Sequence, residues 1–128
     1  MTAVSVLDDQ TAAAIREAIT AARSGRISEA VSIGERALAN GGDVAALNAM
    51  IGTLHCQTGN LDAGIRHLQA ARQARPSDPV VSSNLATALA QKGDFAGALE
   101  ALPEDVARTD PSMQLLRVRA FLAQQTGD

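Results

Sequence analysis

His55, Cys56 and His67 are the chain's entire stock of imidazole and thiol. Imidazole nitrogens and a thiolate could hold a transition metal, and a thiol beside an imidazole could act as nucleophile and base. The spacing argues against both. His55 and Cys56 are adjacent, and at 3.6 residues per helical turn their side chains diverge by about 100°. The sequence therefore predicts no metal site and no nucleophile. It makes His55 a core or half-buried packing residue and Cys56 an ordinary small helix residue. A single cysteine forms no internal disulfide.

Two other constellations fare no better. Glu104 and Asp105 are paired carboxylates, but acid–base work requires a cleft that drives their pKa values apart. They follow Pro103 in an expected loop, where a solvated turn is the better reading. Gly41-Gly42 lies between two helical stretches, without the strand and lysine of a phosphate-binding loop. No enzyme and no cofactor are expected in these 128 residues.

The composition points to helices. Apolar residues make up 46% of the chain and aromatics only 2%, with no Trp or Tyr. A core without rings relies on Ala, Leu, Ile and Val, and Ala is the strongest helix former. The net charge of −3 argues against general nucleic-acid binding, which needs a basic stripe to neutralise phosphates. Residues 1–10 have no basic start and contain Asp8 and Asp9, unlike a secretory signal. No run of about 20 apolar residues is present to span a membrane. A soluble cytoplasmic protein is expected.

Glycine punctuation sets the architecture. Gly25, Gly59, Gly93 and Gly127 recur at a constant step of 34 residues. Two residues later comes an apolar side chain (Ile27, Leu61, Phe95), and five later a small one (Ala30, Gly64, Ala98). Seven residues before each glycine comes another small one: Ala18, Gly52, Ala86, Ala120. Such glycines end one helix sharply before the next begins, and small residues at fixed points let neighbouring helices approach closely. The pattern predicts helices near 8–23, 27–39, 43–57, 61–74, 79–91, 95–102 and 111–125. Asp43 and Asp78 are expected N-caps. Pro103 should stop its helix near Leu102, leaving at most a separate turn through Val106.

A 34-residue helix-turn-helix unit with these small and aliphatic positions resembles the tetratricopeptide repeat. The second unit carries the likeness best, through Ile51-Gly52, Gly59, Leu61, Gly64, Leu68, Ala71 and Pro76. The third follows through Leu85-Ala86, Leu89, Gly93, Phe95, Ala98 and Leu102. The first departs from it, with Glu17 and Gly34 at positions usually large and apolar. The resemblance implies an all-α, right-handed α-solenoid of antiparallel helix pairs, about three and a half units long. Residues 1–128 would form one domain with units near 11–44, 45–78, 79–112 and a truncated 113–128.

The resemblance also implies a concave groove lined by the first helix of each unit, holding a peptide or a partner helix. Carried over by position, the groove residues are Arg16, Arg23, Met50, Thr53, Gln57, Asn84, Thr87, Gln91, Arg117 and Phe121. Ile15 and Ile19 stand where the chaperone-binding subgroup carries polar residues that grip a terminal carboxylate, so that subgroup is not expected. No acidic side chain falls in the set, which suits an extended acidic or carboxylate-bearing segment. Leu115, Leu116, Val118, Phe121 and Leu122 make the last helix too apolar for a good cap. The sequence therefore predicts a homodimer through that helix, with Leu115 and Leu122 as self-association residues, or the N-terminal part of a longer protein. The main expectation is a protein-interaction scaffold. Its alternative is an N-terminal regulatory or substrate-positioning module of a larger bacterial enzyme, of sulfotransferase, glycosyltransferase or hydroxylase type.

Overall fold

The computed structural model describes residues 8–127. The expectations that concern residues 1–7 and Asp128 lie outside that range. The described residues form α1 (Asp9–Arg23), α2 (Ile27–Ala39), α3 (Val44–Gln57), α4 (Leu61–Ala74), α5 (Pro79–Gln91), α6 (Phe95–Ala101), α7 (Glu104–Ala107) and α8 (Gln114–Thr126). Helices α1 to α6 pack mainly on their chain neighbours, α8 packs chiefly on α6 past the short α7, and α1 with α3 and α3 with α5 touch across units. This is the stacked order of a helical solenoid.

The repeating glycines act through their backbone. Gly25, Gly59 and Gly93 take φ between +84° and +91°. In each turn the next amide donates back to the last helical turn: Arg26 to Ala21, Asn60 to His55 and Asp94 to Leu89, at 2.8–2.9 Å. Gly41-Gly42 closes α2 in the same way, with Gly42 donating to the Ala37 carbonyl at 2.9 Å. These are helix-ending turns that satisfy otherwise orphaned carbonyls.

Aspartates start the helices. Asp8, Asp43, Asp78 and Asp94 each accept from a backbone N–H of the first turn at 2.7–2.9 Å. Hydrogen bonds from Thr11 hold the Asp8 carboxyl below its usual pKa. The buried Thr11 hydroxyl donates to Asp8 and accepts from the Asp43 amide at 3.1 Å, tying the start of α1 to the start of α3. Arg75 at the end of α4 pairs with Asp43 at 2.7 Å.

The closest helix packing is between α3 and α4. A Cβ built on Gly52 would lie 2.9 Å from the Gly64 carbonyl oxygen and 2.8 Å from Leu68 Cγ. One built on Gly64 would lie 2.9 Å from the Gly52 carbonyl oxygen and 2.4 Å from Cys56 Sγ. The two backbones meet directly because neither residue has a side chain. Gly34 serves a related purpose between α2 and α3, where Ile51 and Met50 fill the room its side chain would need. That explains the departure of unit one: the bulk usual at position 34 is supplied from the facing helix.

Pro103 acts as expected. Helix α6 ends at Ala101, and α7 supplies one further turn whose Val106 and Ala107 remain buried in the core. The last helix differs at its start, since α8 begins at Gln114 rather than 111. The Asp110 carboxylate accepts from Ser112 and from the Leu115 amide, holding residues 110–113 as a turn, and Met113 sits at φ 61°. The Ser112 hydrogen bonds pull the Asp110 pKa down.

The expectation for Leu122 is corrected here. Leu122 is only 2% exposed, packed among Leu85, Leu102 and Val106, and Leu115 is half-buried against the same cluster. Neither forms an open apolar face, because α8 turns both toward α6 and α7. What α8 exposes is Phe121, at 54%.

Two measurements follow. Gly52→Ala adds roughly 1 kcal/mol of helix propensity, but forces a methyl onto the Gly64 backbone, where overpacking costs about 1–3 kcal/mol. Urea denaturation should report a net loss; an unchanged or higher midpoint would mean that the α3–α4 contact relaxes freely. Leu122→Ala should cost about 2–5 kcal/mol and Phe121→Ala less than about 0.5 kcal/mol. The reverse order would return Leu122 to the surface.

Candidate ligand groove

Helices α1, α3 and α5 present a groove of about 420 Å³. Ala18, Ile19 and Ala22 of α1 and Ala49, Met50 and Leu54 of α3 supply its apolar surface. Arg23, Thr53, Gln57 and Asn84 supply the polar groups. Small residues make the depression possible: Ala18, Ala22 and Ala49 leave space between the helices that larger side chains would fill. Ile19 is 40% exposed, so part of the apolar lining faces water.

Five residues named from the sequence converge here: Arg23, Met50, Thr53, Gln57 and Asn84. The other five do not line this groove. Arg16, Thr87, Gln91, Arg117 and Phe121 are exposed on α1, α5 and α8. Asn84 also borders a second depression of about 330 Å³, with Val80 and Ser83 on one side and Ser112, Gln114 and Leu115 on the other. It therefore stands between two hollows that follow one another along the stack.

Among the described residues, Arg23 is the one charged residue lining the main groove. Its guanidinium is a planar fork matched to carboxylates. Gln57 and Asn84 each offer a donor and an acceptor, as an extended peptide backbone requires.

Opposite the groove, the back of α3 carries a polar cluster that the sequence reading missed. Asn48 and His55 lie seven residues apart on this helix, on nearly the same face. The His55 and His67 rings stack with centroids 5.6 Å apart and an interplanar angle of 17°. Asn48, only 6% exposed, donates from Nδ2 to the Val44 carbonyl at 3.0 Å. Its Oδ1 meets His67 Nδ1 at 2.8 Å. Burial, then the neighbouring His55, push the His67 pKa down, with Glu35 pulling the other way. Among the described residues, Glu35, His55 and His67 are the group with metal-ligand chemistry that converges. Considering only His and Cys neighbours in sequence hid it, since Glu35 comes from α2 and His67 from α4. Cys56 remains apart, its thiol pushed up by burial and so a poor nucleophile.

The tetratricopeptide repeat family model matches residues 15–79 and 83–128. The chain belongs to the tetratricopeptide repeat family. Among solved structures, this tetratricopeptide chain is similar to MamA of AMB-1, with 23% identity and a TM-score of 0.73 over 89% of this chain and 68% of that one. It is also similar to SycD, the type III secretion translocator chaperone of Yersinia enterocolitica, with 16% identity and a TM-score of 0.77 over 94% and 88% of the two chains. SycD in complex with a peptide of the translocator YopD matches at 18% identity and a TM-score of 0.73 over 92% and 90%. At these identities the likeness is one of fold. No curated protein matches the sequence. Among the described residues no helix is long and apolar enough to cross a membrane.

Proposed function

We propose that this tetratricopeptide chain is a protein-interaction scaffold that holds a peptide segment in the groove between α1, α3 and α5. The observation that carries the reading is the pairing of an apolar lining (Ile19, Met50, Leu54) with Arg23, Gln57 and Asn84 at one site. An apolar side chain of the segment would enter between Met50 and Ile19. Its backbone would meet the amides, and a carboxylate would meet Arg23. The occupant this chemistry selects is an acidic segment with an apolar anchor. The solved complex of SycD with a YopD peptide supports peptide binding as a use of this fold.

The test is fluorescence anisotropy with labelled peptides that share one apolar anchor and carry either Asp/Glu or Lys/Arg around it. Acidic peptides should bind more tightly. Arg23→Glu should weaken them by about tenfold or more, equivalent to about 1.4 kcal/mol, with thermal stability unchanged because Arg23 is exposed. Asn84→Ala should weaken both acidic and basic peptides. A preference for basic peptides, or affinities indifferent to both substitutions, would remove the groove as the binding site.

A further inference from the structure

We propose that Glu35, His55 and His67 form a binding site for a divalent transition-metal ion of the zinc class, bridging α2, α3 and α4. One carboxylate oxygen and one imidazole nitrogen from each ring lie within 4.8 Å of one another. Around a tetrahedral ion with ligand bonds of about 2.0–2.2 Å, ligand atoms stand roughly 3.4 Å apart. Closure therefore needs at most about 1.4 Å of approach per pair. Glu35 is exposed, with rotamers free to supply its share, and a tilt of the two rings from their near-parallel stack supplies the rest.

The surrounding hydrogen bonds are those of a built site. Because Asn48 Nδ2 is committed to the Val44 carbonyl, Asn48 Oδ1 faces His67 and can only accept. His67 Nδ1 therefore carries the proton, and its Nε2 keeps a free lone pair. A buried acceptor that fixes the tautomer of a histidine is the usual second layer around a metal. On His55, Asn60 makes only a loose approach to Nδ1 at 3.5 Å, which leaves that ring free to turn.

The donor set selects the ion. Two imidazoles and one carboxylate suit Zn²⁺, Co²⁺, Ni²⁺ and Cu²⁺, whereas Ca²⁺ and Mg²⁺ take oxygen ligands. Three protein ligands leave a fourth position for water. Glu35 opposes the charge of the ion, and Arg66 is the nearby cation acting against it. The site joins a helix of the first hairpin to both helices of the second, on the side of α3 away from the groove.

The experiment titrates the full, tag-free chain with Co²⁺, read by its visible ligand-field bands, and then with Zn²⁺ by calorimetry and competition. One ion per chain is expected. Zn²⁺ in large excess over its dissociation constant should raise Tm by about 5–10 °C. Glu35→Gln and His55→Ala should each weaken binding by about tenfold or more, while Cys56→Ser leaves it unchanged. Glu35 is exposed, so Glu35→Gln decides the matter even if His55→Ala folds poorly. Absence of ligand-field bands at millimolar Co²⁺ overturns the site, as does affinity untouched by Glu35→Gln and His55→Ala. Loss of affinity in Cys56→Ser would move the ion to the thiol and overturn it as well.

Discussion

The direct contact of two backbones at Gly52 and Gly64 is the constraint around which the other helices are arranged. With no side chain at either position, α3 and α4 approach until each glycine faces the other's carbonyl oxygen. That closeness brings Leu47, Ile51 and Leu68 under full cover without any aromatic ring. It also fixes where the two outer faces of α3 point. One face carries Met50 and Thr53 into the groove, and the other brings His55 against His67. A chain with 2% aromatics has few large side chains to bury, so its packing must come from short distances between many small ones.

The repeat glycines and the aspartate caps were readable because each is a local requirement. A left-handed turn needs glycine whatever surrounds it, and an N-cap needs a short side-chain acceptor. Hence α2 and α5 match their expected spans, and the break at Pro103 falls where proline forbids a continuous helix. The start of α8 was not readable. The expected span was 111–125, but the Asp110 side chain closes a turn over Ser112 and delays the helix to Gln114.

Side-chain placement on α8 was misjudged for a different reason. Apolar residues at Leu115, Leu116, Val118, Phe121 and Leu122 wrap around more than half of the helix, so periodicity alone could not say which flank faces α6. The extra turn α7, a product of Pro103, decides it by lending Val106 and Ala107 to the surface that receives Leu122. The groove was half legible: position in the unit located Arg23, Met50, Thr53, Gln57 and Asn84. It could not foresee that the hollow ends near Asn84 rather than continuing to Thr87 and Gln91. The Glu35–His55–His67 cluster depends on three helices meeting, a property of no single stretch of sequence.

The division of α3 into faces has an evolutionary consequence. Met50, Thr53 and Gln57 line the hollow, whereas Leu47, Ile51 and Gly52 are locked into the stack. Substitutions at Thr53 and Gln57 change the lining of the hollow without disturbing the helix spacing, those on the second set alter the spacing itself, and Met50, which also fills the room beside Gly34, takes part in both. The lining of the hollow is therefore free to drift over generations while the fold is inherited nearly unchanged.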